Sequence, residues 1–288
     1  MKNRLKESFK QHLSFFFSVP ALLWQVLFLC VPLLIIVCYS CVDKSGQFLT
    51  LVNYKSILHV PFLYILLRSL FLATATATIT LLCAYPVVYY LVFHVRPLSR
   101  YFITCMMLPF GVNFLMLTYS WFFLLERNGL INTVLSGIGF INTPIQFLYS
   151  QGAVLLVMVY CYIPFMIIPL YMSLEKLDQR LIDASADLGA NAWQTFMRVT
   201  LPLSLPGIKT GFLLVFVPAF GEFAIPTLLG GSKFLVIGSL ISYYFFVARN
   251  NSFGAACTVA SALCLLLVVL LIQNCTRIYV FIKKKAES

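Results

Sequence analysis

Apolar positions gather in six long runs, at about 16–40, 69–93, 101–125, 152–174, 208–232 and 251–276. Each is near or above the roughly 20 residues that an α-helix needs to cross a hydrocarbon layer. Lipid offers the backbone no hydrogen-bond partners, so runs of this kind must close their own bonds as helices. All but the fifth run lack Asp, Glu, Lys and Arg, and the fifth contains Glu222. A seventh run, FLVIGSLISYYFFVA at 234–248, is bracketed by Lys233 and Arg249. It falls short of a comfortable crossing, which predicts an interfacial or re-entrant helix. The first run is longer than a signal-peptide core and no small-x-small cleavage motif follows it, so it is expected to stay in the protein.

Between the fourth and fifth runs the pattern changes. Leu174, Leu177, Leu181, Ala184, Ser185 and Leu188 recur at helical spacing, with Lys176, Arg180, Asp183 and Asp187 on the opposite face. That pattern predicts an amphipathic helix from Leu174 to Leu188. Gly189 offers the positive φ that helix C-termini favour. Asn191 then stands as a cap for a second helix over NAWQTFMRVT. Pro202 and Pro206 are expected to break that helix before the fifth run. The segment 175–206 therefore reads as helix, glycine turn, helix: a protruding knob between two spans.

Other features refine the spans. ATATATAT at 73–80 is a stripe of small residues, which suits a close helix–helix seam, with a pore lining as the alternative. Prolines 20, 32, 86, 109, 164, 169 and 218 interrupt nearly every run. NGLINTVLSGIGFINTPIQF, at 128–147, is long enough for a small helix over an outer mouth.

Composition agrees with the pattern: 61% of the 288 residues are hydrophobic and 10% charged, against roughly a quarter charged in soluble domains. Charge sets orientation, because cytoplasmic loops collect Lys and Arg. Six spans put Lys2, Arg4, Lys6, Lys10, Arg96, Arg100, Lys176, Arg180, Arg198, Lys209, Arg277, Lys283, Lys284 and Lys285 on one side. The other side holds Lys44, Lys55, Arg68, Arg127, Lys233 and Arg249. Both termini and the knob are therefore expected in the cytoplasm, in a single all-α, polytopic domain spanning 1–288. The net charge of +11 follows from this topology and calls for no nucleic-acid partner.

Catalytic chemistry finds no footing in the sequence. His12, His59 and His94 lie at or beyond span ends, and no H-E-x-x-H, G-x-S-x-G or metal-spaced Cys/His cluster occurs. GGSK at 230–233 lacks the spacing of a phosphate loop. Most of the nine cysteines lie inside runs as small apolar residues; Cys38 and Cys41 at the outer end of the first could form a redox pair. A chain like this works by moving.

The knob resembles the cytoplasmic loop of ABC importer membrane subunits, whose pattern is E-A-A-x3-G-x9-I-x-L-P. Here Asp183-Ala184-Ser185 is followed at the same spacing by Gly189 and by Val199-x-Leu201-Pro202. Asp, Ser and Val replace Glu, Ala and Ile. LTYSWFFLLERNGLIN (117–132), YCYIPFMIIPLYMSLEKLD (160–178) and PAFGEFAIPTLLGG (218–231) are similar to spermidine/putrescine importer permeases, specifically the first of their two permease subunits. The resemblance implies a six-helix, type I ABC importer permease in the inner membrane. It implies a dimer of ATPases, which would bind ATP and magnesium, a second homologous permease and an extracytoplasmic solute-binding protein. Asp183, Ala184, Ser185, Asp187, Leu188, Gly189, Val199, Leu201 and Pro202 would then meet the ATPase. Related permeases carry ferric iron, aminoethylphosphonate or other small solutes such as amino acids, so the solute is less fixed than the class. A secondary carrier would need ion-coupling residues of its own, for which Glu222 is the one candidate.

For a polycation, a lone carboxylate with aromatic faces nearby is an attractive waypoint. Gly221 and Pro226 should loosen the helix around Glu222, and Phe223, Tyr119, Trp121 and Tyr160 are the aromatics expected near it. The alternative for Glu222 is a structural hydrogen bond to a neighbouring helix.

Overall fold

The computed structural model describes residues 2–43, 50–59, 61–111, 113–231 and 234–286, with side chains at 2–18, 58–59, 109 and 275–286 outside the description. Lys44, Ser232, Lys233 and the side chains of His12, His59 and Lys283–Lys285 thus lie outside the described residues. Among the described residues every regular element is helical. The α-helices are α1 (Lys2–Ser40), α2 (Val52–His59), α3 (Phe62–His94), α4 (Arg96–Met107), α5 (Phe114–Leu125), α6 (Leu130–Gly137) and α7 (Gln151–Leu174). They continue as α8 (Gln179–Asp187), α9 (Ala192–Thr195), α10 (Leu201–Gly221), α11 (Ala224–Gly230), α12 (Ile237–Ser242) and α13 (Asn251–Ala286).

Among the described residues, five helical stretches could cross a membrane by length and composition: Val19–Ser40, Phe62–His94, Gln151–Leu174, Ala192–Gly221 and Asn251–Asn274. The third apolar run is divided. A 3-10 turn, Leu108–Gly111, separates α4 from α5, and the Asn113 side chain caps α5 by accepting from the Leu115 N–H at 2.9 Å. Pro109 has no N–H to continue the ladder and Asn113 offers a competing acceptor. Each half is 12 residues long, roughly 18 Å at an α-helical rise.

Two compact units make up the chain, one of Met1–Val60 with Tyr243–Cys264, the other of Pro61–Ser242 with Leu265–Ser288. In the first, Asn53 Nδ2 donates to the carbonyls of Ser40 (3.1 Å) and Val42 (2.8 Å), and Tyr54 donates to Ser40 Oγ at 2.8 Å. These bonds tie α2 to the end of α1. Cys38 and Cys41 beside them are free thiols.

The second unit is built on α3, α7 and α10, which pack pairwise. Ala73, Thr76, Ala77 and Thr80 are fully buried, and Thr76 Oγ1 lies 4.0 Å from Met158 Sδ on α7. The ATATATAT stripe is thus a seam. On α10 the matching device is Gly207-x-x-x-Gly211: a Cβ on Gly211 would come within 2.7 Å of Met166 Sδ, and one on Gly207 within 2.4 Å of Ser173 Cβ. Small residues let backbones approach in lipid, where packing drives association. Pro86, Pro164, Pro169, Pro206 and Pro218 lie inside their helices and do not end them.

Candidate functional site

Two features stand out, the knob and the break that follows α10. The amphipathic helix of the knob is shorter than its pattern suggests. α7 ends at Leu174, and Asp178 restarts the chain as α8 by accepting from the Arg180 N–H at 3.0 Å. Leu174 therefore belongs to the buried span and not to the knob. A capping carboxylate captured the helix start that apolar spacing put one turn earlier.

At the other end of α8, Gly189 has φ +81°. Its N–H donates to Ala186 O (2.8 Å) and the Ala190 N–H to Ser185 O (3.1 Å), the paired bonds of a Schellman stop. Asn191 then caps α9 reciprocally: its side chain accepts from the Gln194 N–H at 2.8 Å, and Gln194 Oε1 accepts from the Asn191 N–H at 3.0 Å. The two arms are joined by the Ser185 and Thr195 hydroxyls, 2.8 Å apart. Between them lies an open cleft of about 250 Å³ lined by Ser185, Leu188, Gly189, Thr195, Arg198 and Val199, among others.

No residue of α8 is buried. Asp183, Ala184 and Asp187 are exposed, and Leu188 is 89% exposed at the tip, with Trp193 at 65%.

Pro202 and Pro206 do not break the second arm. Phe196–Thr200 forms a π turn, in which the Leu201 N–H reaches back five residues to Phe196 O. The wider turn absorbs the donor that Pro202 lacks and relieves its clash with the preceding turn. Helical backbone consequently runs unbroken from Ala192 to Gly221, 30 residues, roughly 45 Å. Val199, Leu201 and Pro202 lie half-buried where the knob passes into this rod.

At its far end the rod stops on Glu222, whose φ and ψ of −63° and 130° are extended. The fifth run is thereby split into α10 and α11. Glu222 Oε1 accepts from the Ala224 N–H at 2.9 Å and so supports the start of α11. Oε2 accepts from Tyr162 of α7, also at 2.9 Å. The bond to a neighbouring helix that was the alternative for Glu222 is therefore present. Gly238 of α12 presses on the break: a Cβ there would lie 2.5 Å from Gly221 O and 2.8 Å from Glu222 O. α12 is hooked to α3, because Ser69 Oγ accepts from the Ile237 N–H at 2.7 Å.

Of the aromatics anticipated around Glu222, Phe223 adjoins it in the chain. Tyr160 packs on Trp121 (centroids 5.1 Å) and on Phe110 (5.6 Å), while Tyr119 and Phe223 are exposed. The carboxylate is bonded instead to Tyr162, two residues beyond Tyr160. Successive residues turn about 100° around a helix, so residues two apart occupy different faces. Tyr162, Gly238 and Ser69 are the members of this site that sequence reasoning missed. The polar hydroxyls inside apolar runs were the available signal for Tyr162 and Ser69.

A family model described as "binding-protein-dependent transport system inner membrane component" matches residues 79–279, which contain both features. The chain is 37% identical over 224 residues to the spermidine/putrescine transport system permease protein PotB of Haemophilus influenzae, covering 76% of this chain and 78% of that one. Against the PotB of Escherichia coli K12 it is 38% identical over 226 residues, covering 76% and 81%. In fold it is similar to a chain in the crystal structure of a bacterial ABC transporter that imports the acidic polysaccharide alginate. The TM-score is 0.73 at 18% identity, over 95% of this chain and 98% of that chain. The protein is thus a multi-pass inner-membrane protein, and it belongs to the family of inner-membrane components of binding-protein-dependent transport systems.

Proposed function

We propose that this chain is one of two permease subunits of an ATP-driven importer for polyamines, spermidine or putrescine. The observation that carries the reading is the 37–38% identity to two spermidine/putrescine permeases over about three quarters of each chain. A second homologous permease completes the pathway, an extracytoplasmic binding protein delivers the solute, and a dimer of ATPases binds ATP and magnesium. This chain supplies gate and conduit.

In this reading the chain crosses six times with both termini in the cytoplasm, α4 and α5 together making the third crossing. The ATPase receives the exposed face of α8 with Asp183, Ala184, Asp187 and Leu188, and Gly189 sets the angle of the second arm. Movement of the knob then reaches Glu222 along one unbroken helical rod, from Ala192 to Gly221. A rod transmits displacement where a hinged loop would dissipate it. Glu222 is a waypoint for an ammonium group: a half-buried carboxylate in a bundle attracts cations.

The test is ATP hydrolysis by the assembled four-component importer in proteoliposomes. Binding protein loaded with spermidine should stimulate hydrolysis several-fold over binding protein loaded with ferric iron or aminoethylphosphonate. Equal stimulation by the non-polyamine solutes would contradict the substrate class.

A further inference from the structure

The Tyr162 hydroxyl sits in an unusual place. Its side chain is 5% exposed, in the packed interior of α7, and it donates to Glu222 Oε2 at 2.9 Å. The second carboxylate oxygen is taken by the Ala224 N–H at 2.9 Å. Both donors are neutral. Among the described residues no Lys, Arg or His pairs with this carboxylate. Two neutral donors fix an anion in position and orientation without cancelling its charge, and each oxygen keeps lone-pair capacity for another partner. The backbone beneath is fixed as well, since Gly238 packs directly on the carbonyls of Gly221 and Glu222. A carboxylate held so firmly, with lone pairs to spare on both oxygens, is prepared for a cation that arrives from outside the chain.

We propose that Tyr162 is a positioning residue for cation transfer, which holds the Glu222 carboxylate at the α10–α11 break toward the passing ammonium group. The inference rests on the reading of Glu222 as a cation waypoint. Without the phenol, the carboxylate rotates away from its fixed direction and the ammonium meets a diffuse charge. ATP is then spent with less solute moved.

The experiment is a double-substitution cycle on the complete importer in proteoliposomes, reading radiolabelled spermidine imported per ATP hydrolysed. Tyr162→Phe keeps the ring that fills the interior and removes only the donor. The ratio should fall about tenfold, the scale of one hydrogen bond to a charged group. Glu222→Gln should lower it at least as far, and Tyr162→Phe added to Glu222→Gln should lower it no further. A merely structural tyrosine would give losses that multiply, and that result would overturn the proposal. So would an unchanged ratio in Tyr162→Phe alone. Should Tyr162→Phe fail to assemble, assembly restored by adding Glu222→Gln supports the proposal, because the unsupported carboxylate is then the fault; failure in both backgrounds overturns it. A normal ratio in Glu222→Gln sinks the waypoint reading itself, an outcome distinct from a failure of Tyr162 alone.

Discussion

Gly189 has open space where a Cβ would stand, so crowding is no obstacle to a side chain there. Only its φ of +81° is. An L-residue in the left-handed region loses roughly 1–2 kcal/mol, more if β-branched, while Asn is tolerated better. Gly189→Val should therefore cut transport at least tenfold with membrane insertion intact, and Gly189→Asn should retain most of it. Uptake assays on both variants check this, and equal activity in the two would remove the angle of the knob from the account. The turn was legible because Gly189 and Asn191 each have one favoured use, and the structure has both in that use. Tyr162 was not. Choosing between Tyr160 and Tyr162 requires the rotation of α7 relative to the break, which is set by packing against α3 and α10 and leaves no local mark in the sequence.

Elements were read well where one force dominates and less well where two compete. Long apolar runs gave long helices, because lipid leaves the backbone no other solution. Their ends and interruptions depend on single side chains. Asp178 restarts the chain as α8, Asn113 caps α5, Glu222 accepts from the first N–H of α11, and a π turn carries the rod past Pro202. Such local contests are weak in sequence and decisive in structure. The run at 234–248 supplies the element-scale test. Its apolar helical part, Ile237–Val247, is too short to cross. Reporter tags after Ser288 and within 94–100 should therefore read as cytoplasmic, and tags within 128–145 as external. An external tag after Ser288 would mean an odd number of crossings, either seven with Ile237–Val247 through the membrane or five with α4 and α5 failing to cross, and the tags within 128–145 separate the two.

For the whole molecule, the central claim is that this chain is a passive gate moved by a partner's ATP, with force entering at α8 and reaching Glu222 through the α9–α10 rod. A secondary carrier would instead draw on an ion gradient and would need no knob. The direct measurement is uptake of radiolabelled spermidine into proteoliposomes containing the four-component importer, with ATP and magnesium sealed on the ATPase side and a protonophore present. Uptake should depend on ATP and on the binding protein, persist when the membrane potential and proton gradient are collapsed, and fall at least tenfold with Gly189→Val. Uptake that continues without ATP, or that disappears with the gradients while ATP remains, would contradict the account.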